Sequence, residues 1–170
     1  MHPMWSNVFN QSGNKAEDLY QILSRIPIFE DLSKRELKEF IRISHKRTYK
    51  PGEIIFWKGE PGVGMYIVQR GDVSVFIGEN PQKPEIVFAS LSQGDFFGEL
   101  ALLDDAPRSA SVVAKETTEL IGIFRPDLFS LFERKPALGV KVLLKLAQLV
   151  GKRLKFTNRD LEQCKQNQDK

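Results

Sequence analysis

Glu99 and Arg108 set an acid and a base nine residues apart, on either side of the short apolar run Leu100-Ala101-Leu102-Leu103. Each residue type brings a definite chemistry. Arginine presents a planar, permanently charged fork that matches two oxygens of a phosphate. A glycine at position 98 permits positive φ or close approach of a ligand to the backbone, and the N–H groups that follow it open a short helix toward an anion. Glu99 is left to accept hydrogen bonds from neutral hydroxyls. One anion beside one hydroxyl on a compact body describes a ribose cyclic phosphate better than a free phosphate or a nucleoside triphosphate.

These residues need a rigid frame, and the period of the apolar residues predicts one. Segments 53–57, 64–69, 72–77, 85–91, 109–114 and 119–124 are short and rich in β-branched and aromatic residues. Pro51-Gly52, Gly59-Glu60-Pro61-Gly62, Gly71-Asp72, Glu79-Asn80-Pro81 and Gln93-Gly94-Asp95 separate them, and even spacing of this kind argues for a barrel or jelly roll. Gly59, Gly62 and Gly64 read as strand turns rather than a phosphate loop, because no Lys-Ser/Thr pair and no strand-to-helix context follows.

Helices flank the strands. Leu19, Ile22 and Leu23 share a face before Ile26-Pro27, and Ser33 stands three residues before Glu36 in capping-box spacing ahead of Leu37, Phe40 and Ile41. Pro126 opens a short helix with Leu128, Phe129 and Phe132, and Pro136 opens a long one running past Leu161. Along that helix Leu143, Ala147, Val150, Leu154, Thr157, Leu161 and Cys164 alternate steps of four and three, the spacing of a coiled-coil seam. Either this stripe packs on the barrel or it meets a second copy while Leu144, Leu146 and Leu149 cover the barrel. The basic residues Lys141, Lys145, Lys152, Arg153, Lys155 and Arg159 read as a solvated helix face rather than a DNA-binding surface.

Composition excludes several functions. The 170 residues suit one domain, 41% of them hydrophobic, and the net charge of +3 does not by itself suggest nucleic acid. One cysteine and two distant histidines, His2 and His45, leave no disulfide framework and no metal site. No apolar stretch reaches bilayer length and no signal-peptide core begins the chain, so a cytoplasmic setting is expected, with no membrane and no nucleic acid as partners. Glu99 and Arg108 have no second carboxylate, histidine or nucleophile at useful spacing, so holding a ligand, not cleaving it, is expected.

Phe97-Gly98-Glu99-Leu100-Ala101-Leu102-Leu103 followed by Ala106-Pro107-Arg108-Ser109-Ala110 resembles the phosphate-binding cassette of the cyclic nucleotide-binding domain family, which includes the catabolite activator protein and the regulatory subunits of cyclic-AMP-dependent protein kinase. The similarity runs from about Leu19 to Leu161 and takes in Pro27-Ile28-Phe29, Pro51-Gly52-Glu53, Gly71-Asp72-Val73 and Gly94-Asp95-Phe96. It implies an α+β, mainly β fold: an eight-stranded β-roll over about 46–125, with N-terminal helices and a long C-terminal helix within a domain at 16–161. Residues 1–15 then form a flexible arm and 162–170 a polar tail.

By the same resemblance Arg108 takes the phosphate, Glu99 the ribose 2′-hydroxyl, and Ser109 donates one more bond to the phosphate. Leu100 to Leu103 read mainly as packing of the cassette. Thr157 and Asn158 stand where a Thr-Ser pair contacts adenine in the activator's long helix, with polar helix surface as the other reading. The candidate ligand site is Gly98, Glu99, Leu100, Arg108, Ser109, Ala110, Thr157 and Asn158, with no catalytic residue, no metal and no cofactor beyond the ligand itself. That ligand is cyclic AMP, with cyclic GMP not excluded. The resemblance further implies a regulatory sensor that dimerises and signals through its C-terminal helix. Because the chain stops at Lys170 with no room for a helix-turn-helix module, output through a protein effector is expected. The alternative is a scaffold of the same fold that no longer binds ligand.

Overall fold

The computed structural model describes residues 19–168; the arm expected at 1–15 lies outside the described residues. Helix α1 occupies residues 19–25, and a run of turns carries the chain to α2, Lys34–Ile43. The capping box forms as its spacing predicts: Glu36 N donates to Ser33 Oγ at 3.3 Å, and Ser33 N donates to Glu36 Oε2 at 2.8 Å. Leu37 and Phe40 are buried on one face of α2.

Eight strands follow: β1 (Ser44–Tyr49), β2 (Ile54–Phe56), β3 (Gly64–Arg70), β4 (Val73–Ile77), β5 (Ile86–Leu91), β6 (Phe96–Phe97), β7 (Ser111–Ala114) and β8 (Thr118–Phe124). They form two antiparallel four-stranded sheets, ordered β1-β8-β3-β6 and β2-β7-β4-β5, the jelly roll that the sequence predicts. Two strands have no counterpart among the sequence segments. β1 is a polar edge strand, Ser-His-Lys-Arg-Thr-Tyr, with only Tyr49 buried, and its order comes from backbone pairing with β8. β6 is two residues long.

Period-2 alternation splits β3 and β8 between two cores. Met65, Ile67, Ile121 and Ile123 face a layer built by Leu23, Phe29, Phe40 and the C-terminal helices. Tyr66, Val68 and Leu120 face the inside of the roll, with Phe56, Val73, Phe97 and Val112.

Helices α3 (Arg125–Arg134) and α4 (Pro136–Gln168) follow the strands; α4 runs as helix to Gln168, into the segment 162–170 expected as a polar tail. α4 packs on the body through Leu138, Val142 and Leu146, with Leu149 beside them. Leu144, expected on that packing face, is exposed instead, as are Leu143, Ala147, Leu154 and Thr157 of the seam, while Val150 is half-buried. The side chains of Leu161 and Cys164 lie outside the described residues.

The basic face of α4 is solvated as expected except at the half-buried Lys145, and three of its residues are also paired. Lys141 pairs with Glu36 at 2.7 Å, Lys145 with Glu30 at 2.6 Å and Asp31 at 2.7 Å, and Arg153 with Glu99, so these three tie α4 to the body. Lys152, Lys155 and Arg159 are exposed.

Candidate functional site

A cavity of about 540 Å³, within the size range of small-molecule sites, opens between the inner face of β4 and β5, the segment 96–109, and α4. Val75, Ala89 and Leu91 form an apolar wall; Gly98, Glu99, Arg108 and Ser109 form the polar side, with Leu100 beside them; Val150 and Arg153 reach it from α4.

Arg108 is held first by its main chain. Its N–H donates to the Glu60 carbonyl and its carbonyl accepts from Gly59 N, both at 2.8 Å, and a β-bridge joins Pro61 to Pro107 beside it. The side chain then lies inside the protein, 7% exposed, with the guanidinium carbon 4.1 Å from the centre of the Phe56 ring. Tyr66 and Phe97, stacked at 5.6 Å, extend this aromatic floor. Burial pushes the Arg108 pKa down, and the neighbouring Tyr66, Glu60 and Glu99 pull it back up. An arginine does not lose its proton in a protein, so a charge sits here largely out of water. Nη1 donates to the Gly98 carbonyl at 3.3 Å, while the buried Nε has no hydrogen-bond partner. A desolvated cation with an unused donor is costly unless an anion completes it.

Gly98 makes room for that guanidinium. Its φ is 75°, in the left-handed region, and a Cβ there would stand 2.5 Å from Arg108 Nη1. Beyond it, Glu99–Leu102 forms a single 3-10 turn. The turn buries Ala101 and Leu102 as packing, as expected, but Leu100 and Leu103 are exposed and line the cavity. Glu99, 4% exposed, accepts a hydrogen bond from Arg153 Nη1, and the Arg153 guanidinium lies 5.7 Å from the Phe96 ring centre.

Gly98, Glu99, Leu100, Arg108 and Ser109 therefore come together around one cavity. Ala110 is buried behind it and is not part of the lining. Thr157 and Asn158 are exposed and do not line it, because α4 meets the cavity earlier, at Val150 and Arg153, and is exposed from residue 152 to 159. Sequence reasoning missed Arg153 and the aromatic floor of Phe56, Tyr66 and Phe97. The signal for Arg153 was its position one turn after Val150 and two after Leu146, on the flank of the buried stripe. Among the described residues no cluster of three or more His, Cys, Asp or Glu is placed to hold a metal, and no helix is long and apolar enough to cross a membrane.

Residues 46–135, just over half of the chain, match the cyclic nucleotide-binding domain. The chain belongs to that family. It is 36% identical over 136 residues to the cyclic AMP receptor protein of Thermus thermophilus, covering 80% of this chain and 61% of the relative. It is 38% identical over 92 residues to a cAMP-dependent protein kinase regulatory subunit of Hypocrea atroviridis, covering 54% and 19%. The chain thus spans less than two thirds of the length of either relative. Among solved structures, a cyclic nucleotide-binding domain from Methylobacillus flagellatus superposes with a TM-score of 0.71 at 30% identity, covering 86% of this chain and 83% of that one. Glu99 and Arg108 line this cavity together with the left-handed Gly98.

Proposed function

We propose that this chain binds a cyclic nucleotide, cyclic AMP in preference to cyclic GMP, and acts as a regulatory sensor module in a cytoplasmic setting rather than as an enzyme. The observation that carries the reading is Arg108: a buried guanidinium in a ligand-sized cavity, with an unpaired Nε and a glycine cleared from its path. The anionic cyclic phosphate completes that cation, and Ser109 adds a hydroxyl on the same wall. Glu99 accepts from the ribose hydroxyl. The apolar wall of Val75, Ala89 and Leu91, with Val150 of α4, is left for the purine. Thr157 and Asn158 reach the base only if α4 closes over the cavity or a second copy supplies its helix.

Signalling through α4 is supported by the Arg153–Glu99 pair. A ribose hydroxyl shares the acceptor that holds α4 to the cassette, so occupancy shifts the balance between arrangements of α4. The exposed Leu143, Ala147 and Leu154 support a homodimer through the same helix, and a protein effector receives the signal. Melting the chain with increasing cyclic AMP tests the reading. A ligand specific for the native state stabilises by about 2.7 kcal/mol at a hundred times its Kd. A shift with cyclic AMP, smaller with cyclic GMP and absent with linear AMP, supports it; no shift with either cyclic nucleotide leaves the scaffold alternative.

A further inference from the structure

Arg125 follows β8 directly and opens α3, and it is not part of the cavity lining. Its guanidinium is nonetheless spent on the cassette. Nε donates to the Ala101 carbonyl at 2.8 Å; the two N–H groups of Nη2 are shared among the carbonyls of Ala101 at 2.6 Å, Gly62 at 3.1 Å and Asp104; Nη1 pairs with the Asp105 carboxylate. The Arg125 side chain is 17% exposed and that of Asp105 is 95% exposed, so the ion pair is peripheral and the three peptide carbonyls are the substance of the contact.

Those carbonyls come from two segments that carry the two halves of the site. Ala101 lies in the Glu99–Leu102 turn that follows Gly98, and Asp104 two residues beyond its end. Gly62 belongs to the loop whose Gly59 and Glu60 grip the Arg108 main chain. The segments touch directly, since a Cβ on Gly62 would lie 2.7 Å from Ala101 Cβ. The Arg125 backbone N–H adds a bond to the Val63 carbonyl at 2.9 Å. A branched, five-donor side chain suits this task, because three carbonyls and the Asp105 carboxylate are more acceptors than the three N–H groups of an ammonium can meet.

We propose that Arg125 is a positioning residue of the nucleotide site: it fixes the Glu99 turn against the loop that holds Arg108 and anchors both to the first turn of α3. This rests on the ligand reading above, but it makes a claim about the ligand-free protein as well. The test uses the full chain with Arg125→Met, Arg125→Lys and Asp105→Asn, read by calorimetric titration of cyclic AMP and by amide hydrogen exchange without ligand. Arg125→Met and Arg125→Lys should weaken binding about tenfold to a hundredfold, the scale of one or two orphaned buried acceptors. Exchange should accelerate in segments 59–63 and 99–105 while β3, β4 and β8 keep their protection. Asp105→Asn should bind within about twofold of the parent.

Arg125→Lys binding within about twofold of the parent, or unchanged exchange at 99–105, overturns the proposal. So does faster exchange throughout both sheets with affinity falling only as the folded fraction falls, which marks a general structural role. If Arg125→Met does not fold, Arg125→Lys decides. If the parent binds neither cyclic nucleotide, the ligand reading fails and the exchange data alone decide the positioning claim.

Discussion

Replacing Arg108 with methionine should move stability and binding in opposite directions. In the ligand-free chain the guanidinium is 7% exposed, makes one hydrogen bond of 3.3 Å, and leaves Nε unpaired. Removing it loses that long bond, about 0.5–1 kcal/mol, and the contact with Phe56, about 0.5–2 kcal/mol, part of which a thioether over the ring recovers. Against this stands the desolvation of an uncompensated charge, which costs several kcal/mol per ion, as the outcome of replacing buried charges with apolar side chains shows. The ligand-free variant should therefore be unchanged or more stable by about 1–2 kcal/mol, a rise of about 2–8 °C in Tm for a chain of this length. Binding should fall by about 2–5 kcal/mol, the usual cost of stripping one partner from a buried charge pair, or about thirtyfold to several thousandfold. Arg108→Lys should also bind poorly, because the fork is lost. Thermal melts with and without cyclic AMP, paired with calorimetry, read both quantities. A ligand-free loss of more than about 2 kcal/mol would refute the reasoning, since it would mean that the guanidinium is satisfied by the protein itself.

Glu36 is held at a pKa of about 2, below its ordinary 4.5, by its hydrogen bond from Lys141 and then by the Ser33 backbone N–H. Its stabilisation is present above pH 4.5 and lost as pH falls toward 2, so the melting temperature of Glu36→Gln should fall less steeply than the parent's across that window; at 23% exposure the effect stays below about 1 kcal/mol and shrinks with salt, and parallel curves would count against it. Leu154→Asp should convert a dimer to a monomer by light scattering, whereas a parent that is monomeric at high concentration removes the α4 seam as an interface. The Thr157→Ala/Asn158→Ala variant should lose preference for cyclic AMP over cyclic GMP if these residues read the adenine amino group, by about tenfold to a hundredfold; an unchanged preference assigns base choice to the Val150 and Arg153 side of α4.

The sequence made legible what local pattern and spacing encode. The capping box of Ser33 and Glu36, the glycine-punctuated strands and the Pro126 and Pro136 helix starts are properties of a few neighbouring residues, and each forms as expected. The polar wall of the cavity was legible because Gly98, Glu99 and Arg108 lie within one short segment. β1 was not, because an edge strand with one buried residue carries no apolar alternation, and β6 is too short for any period. The Arg153–Glu99 pair spans 54 residues and the Arg125–Gly62 bond 63. Helical periodicity gives the buried face of α4 but not the height at which it crosses the cassette, which explains why Thr157 and Asn158 were expected where Val150 and Arg153 stand.

The most direct measurement is calorimetric titration of cyclic AMP into the purified chain, with Arg108→Met titrated in parallel and both shown folded by circular dichroism. Saturable binding at one site per chain in the parent, lost in the variant, is the predicted result. No saturable binding of cyclic AMP or cyclic GMP by the folded parent, or equal binding by parent and variant, would contradict it.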